Sequence, residues 1–187
     1  MTSKLDRRKK YTRMVLKNSL MKILKDKAIS SVTVKELCEL ADINRSTFYS
    51  HYSDQYELLY KIEEEIIEDM LVTLNKYEFP VEEEALQMTE KMLEYIAENR
   101  DICQTLLSEN GDTSFQNRVM NIAHRFTVKN WLTANKQKSD ISEYVGIFVV
   151  SGCINVIKCW LENDLDKSPK ELANIIIKIT NKGILSF

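Results

Sequence analysis

The chain has 187 residues, of which 44% are hydrophobic and 29% are charged, and its formal net charge is −2. These values describe an ordinary globular protein with one sizeable core, or with a small head joined to a larger body. Only four glycines and two prolines occur. Their scarcity argues against a turn-rich β fold and predicts long, uninterrupted helices.

The net charge conceals an uneven distribution along the chain. Residues 1–53 carry twelve Lys or Arg against five Asp or Glu, whereas residues 54–187 carry fourteen against twenty-three. A basic N-terminal head on an acidic body predicts a polyanionic partner for the head only.

The cysteines and the first residues bear on the cellular compartment. Cys38, Cys103, Cys153 and Cys159 stand at no zinc-like spacing, so buried thiols in a reducing compartment are the simplest interpretation, with a redox-sensing thiol left open. No apolar signal-peptide core follows the basic first residues, and no apolar run of eighteen residues is visible. We therefore expect a cytoplasmic protein with no membrane partner.

The first helix is predicted from Arg8 to Lys25, where apolar residues recur at helical spacing. A basic segment, residues 4–13, leads into this helix and contains six Lys or Arg but only one acidic residue, Asp6. Its side chains can contact phosphate or enter the minor groove of DNA, and those in front of the helix are Lys4, Arg7, Arg8, Lys9 and Lys10.

A capping pattern marks the second helix, and a short break separates it from the third. Thr33 can cap the second helix, and Glu36 follows three residues later, which is the capping-box arrangement. Residues 42–44 break the pattern. A short third helix is then predicted through His51, with Asn44 as its N-cap.

Six further helices complete the predicted order, and no convincing strand pattern accompanies them. The first of the six begins at Ser53 or Asp54. The other five are expected over Glu82 to Asn99, Asp101 to Ser108, Phe115 to Trp131, Ser142 to Leu161 and the residues from Pro169 onward. The helix from Ser142 to Leu161 has almost no polar face, so it must be buried on several sides.

The second and third helices together predict a helix-turn-helix, because the third is short and polar on its outer side. Its first exposed residues, Arg45, Ser46 and Thr47, can reach base edges in the major groove. Further polar residues are expected to hold phosphate or to line the same surface: Thr33, Lys35, Asn44, Tyr49, His51 and Tyr52. The alternative is a polar corner of an all-helical domain that binds no DNA.

These residues also resemble a known family. The segment TVKELCELADINRSTFYSHYSDQYELL resembles the DNA-binding head of the TetR (tetracycline-repressor, TetR/AcrR) family. The segment GCINVIKCWLENDLDKSPKELANII is similar to the C-terminal pattern of a subgroup common in low-GC Gram-positive bacteria (Firmicutes). The chain departs from the family pattern at Asp42, often Gly; at Ser46, often Gly or Pro; and at Gln55, commonly a phosphate-binding Lys. The resemblance implies that Gln55 contacts phosphate without contributing a charge.

The resemblance further implies an effector pocket in the body, for which Met and aromatic residues with a few polar groups are suited. The candidates are Met88, Met92, Tyr95, Asn121, His124, Phe126, Trp131 and Phe148. Any one of them could instead simply fill the core. The last two helices are expected to form a two-fold dimer interface through Ile154, Ile157, Trp160, Leu161, Leu172, Ile175, Ile176 and Ile179.

We therefore predict an all-α protein of about nine helices, with a three-helix DNA-binding domain at residues 1–53 and an effector-binding and dimerisation domain at residues 54–187. The expected function is that of a TetR-like regulator, a repressor that binds palindromic operator DNA as a homodimer and is released by an unknown small molecule. The alternative is a helix-turn-helix coactivator or DNA organiser controlled by a protein partner. No cofactor, metal site or catalytic residue is expected. A third alternative, a small helical enzyme, would need a polar cluster around His124, and the sequence shows no such cluster.

Overall fold

A computed structural model describes residues 4–76, 82–111, 113–134 and 139–184, with backbone only at 4–5, 82, 126–134, 139–142 and 181–184. These residues form nine α-helices and one 3-10 turn, Ile29–Ser31, and no strand occurs among them. The helices are α1 Lys4–Leu24, α2 Val34–Ala41, α3 Arg45–Tyr49, α4 Gln55–Leu74, α5 Glu82–Glu98, α6 Arg100–Leu107, α7 Thr113–Ala134, α8 Ser139–Glu162 and α9 Pro169–Ile184. The predicted all-α fold is confirmed.

Side-chain caps fix the beginnings of two helices. The Thr33 hydroxyl accepts the backbone N–H of Glu36 at 3.2 Å, as predicted, while the Glu36 carboxylate pairs with Lys27 at 2.6 Å. At α9 the capping box is reciprocal, because Ser168 accepts the N–H of Glu171 at 3.3 Å and Glu171 accepts the N–H of Ser168 at 2.8 Å. Pro169 then occupies the first helical position, where its missing N–H costs nothing.

The third helix differs from its prediction in two respects. Asn44 holds the N-cap position of α3, but its side chain makes no capping hydrogen bond, so the predicted role of the side chain is wrong. The helix also ends at Tyr49 rather than at His51. The chain tightens there into a turn in which the His51 N–H donates to the Phe48 carbonyl at 2.8 Å.

The described chain divides into two compact units. The first, called the head unit here, comprises the residues up to Ile66 together with Thr105–Phe115. The second, the body unit, comprises Ile67–Gln104 and the residues from Gln116 onward. The head unit is longer than residues 1–53 because it includes the first three turns of α4. Where DNA binding ends and effector binding begins remains a prediction.

Each unit has its own apolar core. In the head unit α1 packs against α2 and α2 against α3, and the fully or almost fully buried side chains are Leu16, Leu20, Leu24, Leu37, Phe48, Leu58, Leu59 and Ile62. In the body unit α5 packs along α9, and α9 also contacts α8. The indole N–H of Trp160 donates to the Lys167 carbonyl at 2.8 Å, which fastens the connection between α8 and α9.

Helix α8 is more apolar than its surroundings in one protomer require. Its segment Glu143–Glu162 is long and apolar enough to cross a membrane, although core helices of soluble proteins meet the same criterion, and only 22% of its most apolar window is buried. The sequence survey missed this window because polar residues such as Ser151 and Asn155 interrupt it. An apolar surface of this length calls for a covering partner.

Candidate nucleic-acid interface and body cavity

The third helix is short, and the head core holds it in place through one aromatic side chain. Phe48 is fully buried, and its ring centroid lies 5.5 Å from that of Tyr49 and 5.8 Å from that of Tyr52. The edge-on and tilted ring arrangements are the favourable ones for aromatic pairs. A five-residue helix therefore has a fixed orientation, which a surface that reads DNA requires.

The turn before this helix depends on one residue in the left-handed conformation. Asp42 has φ 52° and ψ 45°, and it closes α2 in a Schellman motif. The N–H of Ile43 donates to the Cys38 carbonyl at 3.0 Å, and the N–H of Asp42 donates to the Glu39 carbonyl at 3.4 Å. Glycine adopts this conformation without cost, and Asp is one of the few other residues that tolerate it. This geometry gives a physical reason for the Gly that the resembling family often has there.

The structure places most of the predicted base-reading residues at the surface. Asn44, Arg45, Ser46 and Tyr49 are exposed, and Thr47 is half-buried. Their hydroxyl, amide and guanidinium groups are carried by residues that are exposed or half-buried, whereas Phe48 is buried. Such groups can donate to and accept from base edges.

Tyr52 does not belong to this exposed set. Only 9% of the residue is exposed, and burial raises the pKa of its phenol. Its ring completes the aromatic support under α3 instead of facing outward. The sequence indicated both an outward and an inward position for Tyr52, and only the inward position is confirmed, because its ring packs beside Phe48.

The predicted phosphate-binding residues surround α3. Lys35 is exposed on α2, with its Nζ atom 3.9 Å from a Glu39 carboxylate oxygen, and Gln55 is half-buried at the start of α4. The Thr33 hydroxyl oxygen already accepts the N–H of Glu36, yet its own hydrogen remains available to donate. An exposed pair like Lys35 and Glu39 is weak, so Lys35 can exchange Glu39 for phosphate at little cost.

His51 follows the third helix and interacts electrostatically with basic side chains of the first helix. Its pKa is lowered by burial and by the positive charges of Arg13 and Lys9. Lys9 and Arg13 also line a surface groove together with three further basic side chains, Lys10 and Lys17 of α1 and Lys61 of α4. Asp6 and Glu65 lie in the same groove, where Lys17 pairs with Glu65 at 2.8 Å. The groove remains predominantly positive, as the charge distribution predicted.

The body unit contains a cavity of about 210 Å³. Helices α4, α5, α7, α8 and α9 all contribute to its wall. The lining residues are overwhelmingly aliphatic or sulfur-containing: Ile67, Met70, Leu74, Met88, Thr89, Met92, Leu93, Ile96, Val119, Ile122, Ala123, Val149, Val150, Cys153, Ile154, Ile157, Ile176 and Thr180.

Two of the eight predicted pocket residues, Met88 and Met92, line this cavity. The Tyr95 hydroxyl donates to Asp69 at 3.0 Å, and His124 Nε2 lies 3.5 Å from the Glu143 carbonyl oxygen, both away from the cavity wall. Asn121 is exposed and Phe148 is 78% exposed. The side chains of Phe126 and Trp131 lie outside the described residues. Of the described candidates, therefore, the four that are not methionines do not line the cavity.

The missed lining residues carried a partial sequence signal. Thr89, Leu93 and Ile96 share one side of α5 by their spacing, and that side faces the cavity. Val149 and Val150 gave no signal, because α8 is apolar nearly all round and its pattern cannot tell a cavity wall from a core contact.

The predicted dimer residues fall into three groups: some are buried, some line the cavity and some are exposed. Trp160, Leu161 and Leu172 are buried inside the protomer, and three others contribute to the cavity wall: Ile154, Ile157 and Ile176. Ile175 and Ile179 are exposed on α9. The exposed apolar side chains of α8 are different ones, namely Tyr144, Ile147, Phe148 and Val156. The apolar surface that needs covering therefore lies on another side of α8, because Trp160 and Leu161 turn inward to close the body core.

Comparison with known proteins gives a family profile and one curated relative. Residues 83–182 match a TetR profile described as the C-terminal region of transcriptional regulators. Over 61 residues the chain is 36% identical to YxbF of Bacillus subtilis (strain 168), an uncharacterized HTH-type transcriptional regulator. The matched segment is 33% of this chain and spans only 15% of YxbF.

Solved structures share the whole fold at low sequence identity. A TetR transcriptional regulator from Streptococcus agalactiae 2603V superposes with a TM-score of 0.68 at 23% identity, covering 94% of this chain and 96% of that one. The regulator FadR from Bacillus subtilis, solved in complex with stearoyl-CoA, gives a TM-score of 0.63 at 14% identity, covering 89% and 96%. At these identities the likeness is one of fold.

Proposed function

Because this chain belongs to the TetR family of transcriptional regulators, we propose that it is a repressor that holds a near-palindromic operator as a homodimer until a small-molecule effector releases it. The observation that carries the DNA-binding part is the exposed polar side of α3, held by the fully buried Phe48. We assign base reading to Arg45, Ser46 and Thr47, and phosphate binding to Thr33, Lys35, Tyr49, His51 and Gln55.

The basic groove on α1 extends the proposed DNA surface. Arg13 and Lys9 lie close enough to His51 to lower its pKa, so phosphate bound near His51 would meet three cationic or potentially cationic groups. Neutralising phosphate releases condensed counterions, which supplies much of the affinity and makes it salt-dependent. Residues 54–187 carry more acidic than basic side chains, so we place the DNA contacts in the head unit.

Dimerisation is proposed through the outward sides of α8 and α9. Tyr144 and Phe148 are 77% and 78% exposed on α8, and Ile179 is 64% exposed on α9. Gly152 follows Phe148 by one turn, with open space where a side chain would start, so a partner helix can approach the backbone there. Two helices from each protomer would then form a self-complementary four-helix contact.

The cavity in the body unit is the proposed effector site. The Bacillus subtilis relative of the same fold is a regulator in complex with stearoyl-CoA, which supports ligand binding by a body of this kind. For release, the effector must bind the DNA-incompetent arrangement better than the competent one, by about 1–3 kcal/mol of coupling. The same proposal places the protein in the cytoplasm with its DNA target, and gives it no catalytic role.

A selection experiment followed by a release assay tests this function. Genomic fragments retained by the purified protein should share a near-palindromic motif, and the shortest such fragment should bind two protomers. A screen for compounds that raise the melting temperature should then yield ligands that lower affinity for that fragment. Retention of fragments without a common motif would contradict sequence-specific regulation. Ligands that bind the body and leave operator affinity unchanged would favour control by a protein partner.

A further inference from the structure

The wall of the body cavity carries no charged group among the described residues that line it. Its polar groups are the hydroxyls of Thr89 and Thr180 and the thiol of Cys153. Burial raises the pKa of Cys153, so the thiol stays protonated at neutral pH and acts as an apolar contact. A carboxylate or phosphate bound in such a cavity would lose its hydration and gain no ion-pair partner, which is strongly unfavourable.

The volume of the cavity indicates how much of a ligand it can enclose. An apolar cavity of roughly 150 Å³ can hold a benzene molecule, and the cavity here measures about 210 Å³. On that scale it accommodates on the order of ten non-hydrogen atoms. Met70, Met88 and Met92 line three places on its wall, and methionine side chains adapt to ligands of different shape.

Thr89 offers a directional polar contact in the wall. The Thr89 hydroxyl donates to the Ala85 carbonyl at 2.8 Å within α5. Its oxygen therefore keeps lone pairs that can accept a hydrogen bond from a ligand, while its own hydrogen is already used. A ligand hydroxyl that donates fits this site, whereas a group that only accepts would find no donor in Thr89.

We propose that the effector is a neutral, hydrocarbon-like molecule of about ten non-hydrogen atoms that carries at most one hydrogen-bond-donating group, placed against Thr89. This inference rests on the proposed function, because it takes the cavity to be the effector site. The chemical class follows from the lining residues themselves. Medium-chain alcohols and small alkylated aromatic compounds belong to it, and anionic molecules of the same length do not.

A matched pair of ligands tests the inference. 1-Octanol and octanoate have the same chain length and differ in charge, and each is titrated by calorimetry and by thermal melting at neutral pH. We expect 1-octanol to raise the melting temperature and octanoate to bind at least about 100-fold more weakly, because its carboxylate would be buried without a partner. Octanoate binding as tightly as 1-octanol would overturn the proposal, and so would the absence of any 1-octanol binding by protein that still binds operator.

A cavity-filling variant locates the binding. Ala123 lines the cavity on α7, and Asn117 is exposed on the same helix. Ala123→Met should weaken 1-octanol binding at least tenfold, whereas Asn117→Met should leave it unchanged. Equal binding by both variants and wild type would overturn the assignment to this cavity. If 1-octanol binding is lost only in Ala123→Met and the operator is not released, the ligand class stands and the ligand-released repressor fails.

Discussion

At the scale of single residues, substitutions at Arg45 and Lys35 should have different effects, because we assign base reading to Arg45 and phosphate binding to Lys35. Both side chains are exposed, Arg45 at the start of α3 and Lys35 on α2. Arg45→Ala should cost about 1–3 kcal/mol in each half-site and relax the preference at one base pair. Lys35→Ala should weaken all sequences alike and lower the slope of log K against log salt by roughly one per protomer. Competition among operator variants at several salt concentrations measures both effects.

A charge-matched control distinguishes these effects from a general loss of positive charge. Lys76 is exposed after α4, in the body unit, so Lys76→Ala should leave the specificity and the salt slope unchanged. Each variant must keep the melting temperature of the wild type. If well-folded Arg45→Ala and Lys35→Ala proteins bind the selected operator with wild-type affinity, α3 is not the reading helix.

His51 predicts a dependence of DNA affinity on pH. In the free protein its pKa lies below the ordinary value because of burial and of the positive charges of Arg13 and Lys9. A neighbouring phosphate favours the imidazolium form, so binding takes up protons and affinity rises as the pH falls toward the pKa of His51 in the free protein. The slope approaches at most about one unit of log K per pH unit for each His51. His51→Gln should flatten this part of the profile.

As the pH falls, the stability of the unbound protein should decrease, whereas its affinity for DNA should increase. A histidine whose folded pKa is lowered binds fewer protons folded than unfolded, so its contribution to stability falls as the pH drops below the unfolded value of about 6.5. Acid therefore weakens the free fold while it strengthens the DNA complex. Urea unfolding and operator titration on the same samples compare the two signs. A wild-type affinity profile that His51→Gln reproduces would mean that His51 does not meet phosphate.

Residue-level prediction worked where local chemistry decides and failed where packing decides. The Thr33 cap could be predicted because it depends on residues only three positions apart. Asn44 has the right type and position for a cap, yet its side chain makes no capping bond. Tyr52 could not be assigned to the inside or the outside from the sequence, because its burial depends on the aromatic cluster around Phe48.

At the scale of elements, some apolar residues of α8 are buried and others are exposed. Substitutions at one residue of each kind can distinguish a role in the body core from a role in the dimer interface. Phe148 is 78% exposed, whereas Trp160 is 3% exposed and donates its indole N–H to the Lys167 carbonyl. Phe148→Glu should give folded monomers that bind operator poorly, because a charge would be buried in the proposed interface. Trp160→Glu should instead unfold the body. Sedimentation together with circular dichroism distinguishes these outcomes.

The control for the dimer prediction is an exposed residue of another body helix. Asn117 is exposed on α7, and Asn117→Glu should remain dimeric and folded. Ile179→Glu repeats the test on α9, where the side chain is 64% exposed. A wild-type chain that sediments as a monomer at micromolar concentration, or a dimeric Phe148→Glu variant, would exclude the α8–α9 interface.

The positions of the helices could be predicted because residue spacing and caps are local features of the sequence. The residues that line the cavity could not be predicted in this way. Pro169 and the Ser168–Glu171 pair mark the start of α9 in the sequence itself. The cavity wall combines residues from five helices, so its composition depends on tertiary packing that no single periodicity contains. The methionines of α5 were identified because Met is common in adaptable sites, but the two described aromatic candidates, Tyr95 and Phe148, are not part of the wall.

At the scale of the whole molecule, three of the described helices, α4, α6 and α7, contribute residues to both compact units. Helix α4 contributes Leu58, Leu59 and Ile62 to the head core and Ile67, Met70 and Leu74 to the cavity wall. Helix α6 likewise begins in the body unit and ends in the head unit, since the division falls after Gln104. A ligand that displaces the cavity end of α4 would therefore act on a helix whose first turns belong to the head core.

This continuity predicts a variant in which ligand binding and DNA binding persist but are uncoupled. Glu68 is exposed on α4, just past the division between the units. Glu68→Pro removes one helical hydrogen bond and places the proline ring against the carbonyl of the preceding turn, at a cost of about 3 kcal/mol to helix continuity. The ligand-induced loss of operator affinity, expected at roughly 5–150-fold in the wild type, should fall close to onefold. Operator titrations with and without a ligand that stabilises the body measure this ratio.

Glu68→Ala is the matched control, because it removes the same exposed carboxylate and keeps the helix. It should retain the wild-type ratio, while both variants should still show the ligand-induced rise in melting temperature. A Glu68→Pro protein that binds operator and ligand and still releases DNA as the wild type does would show that a rigid α4 is not needed for release. Helices α6 and α7 would then be the remaining continuous connections between the two units.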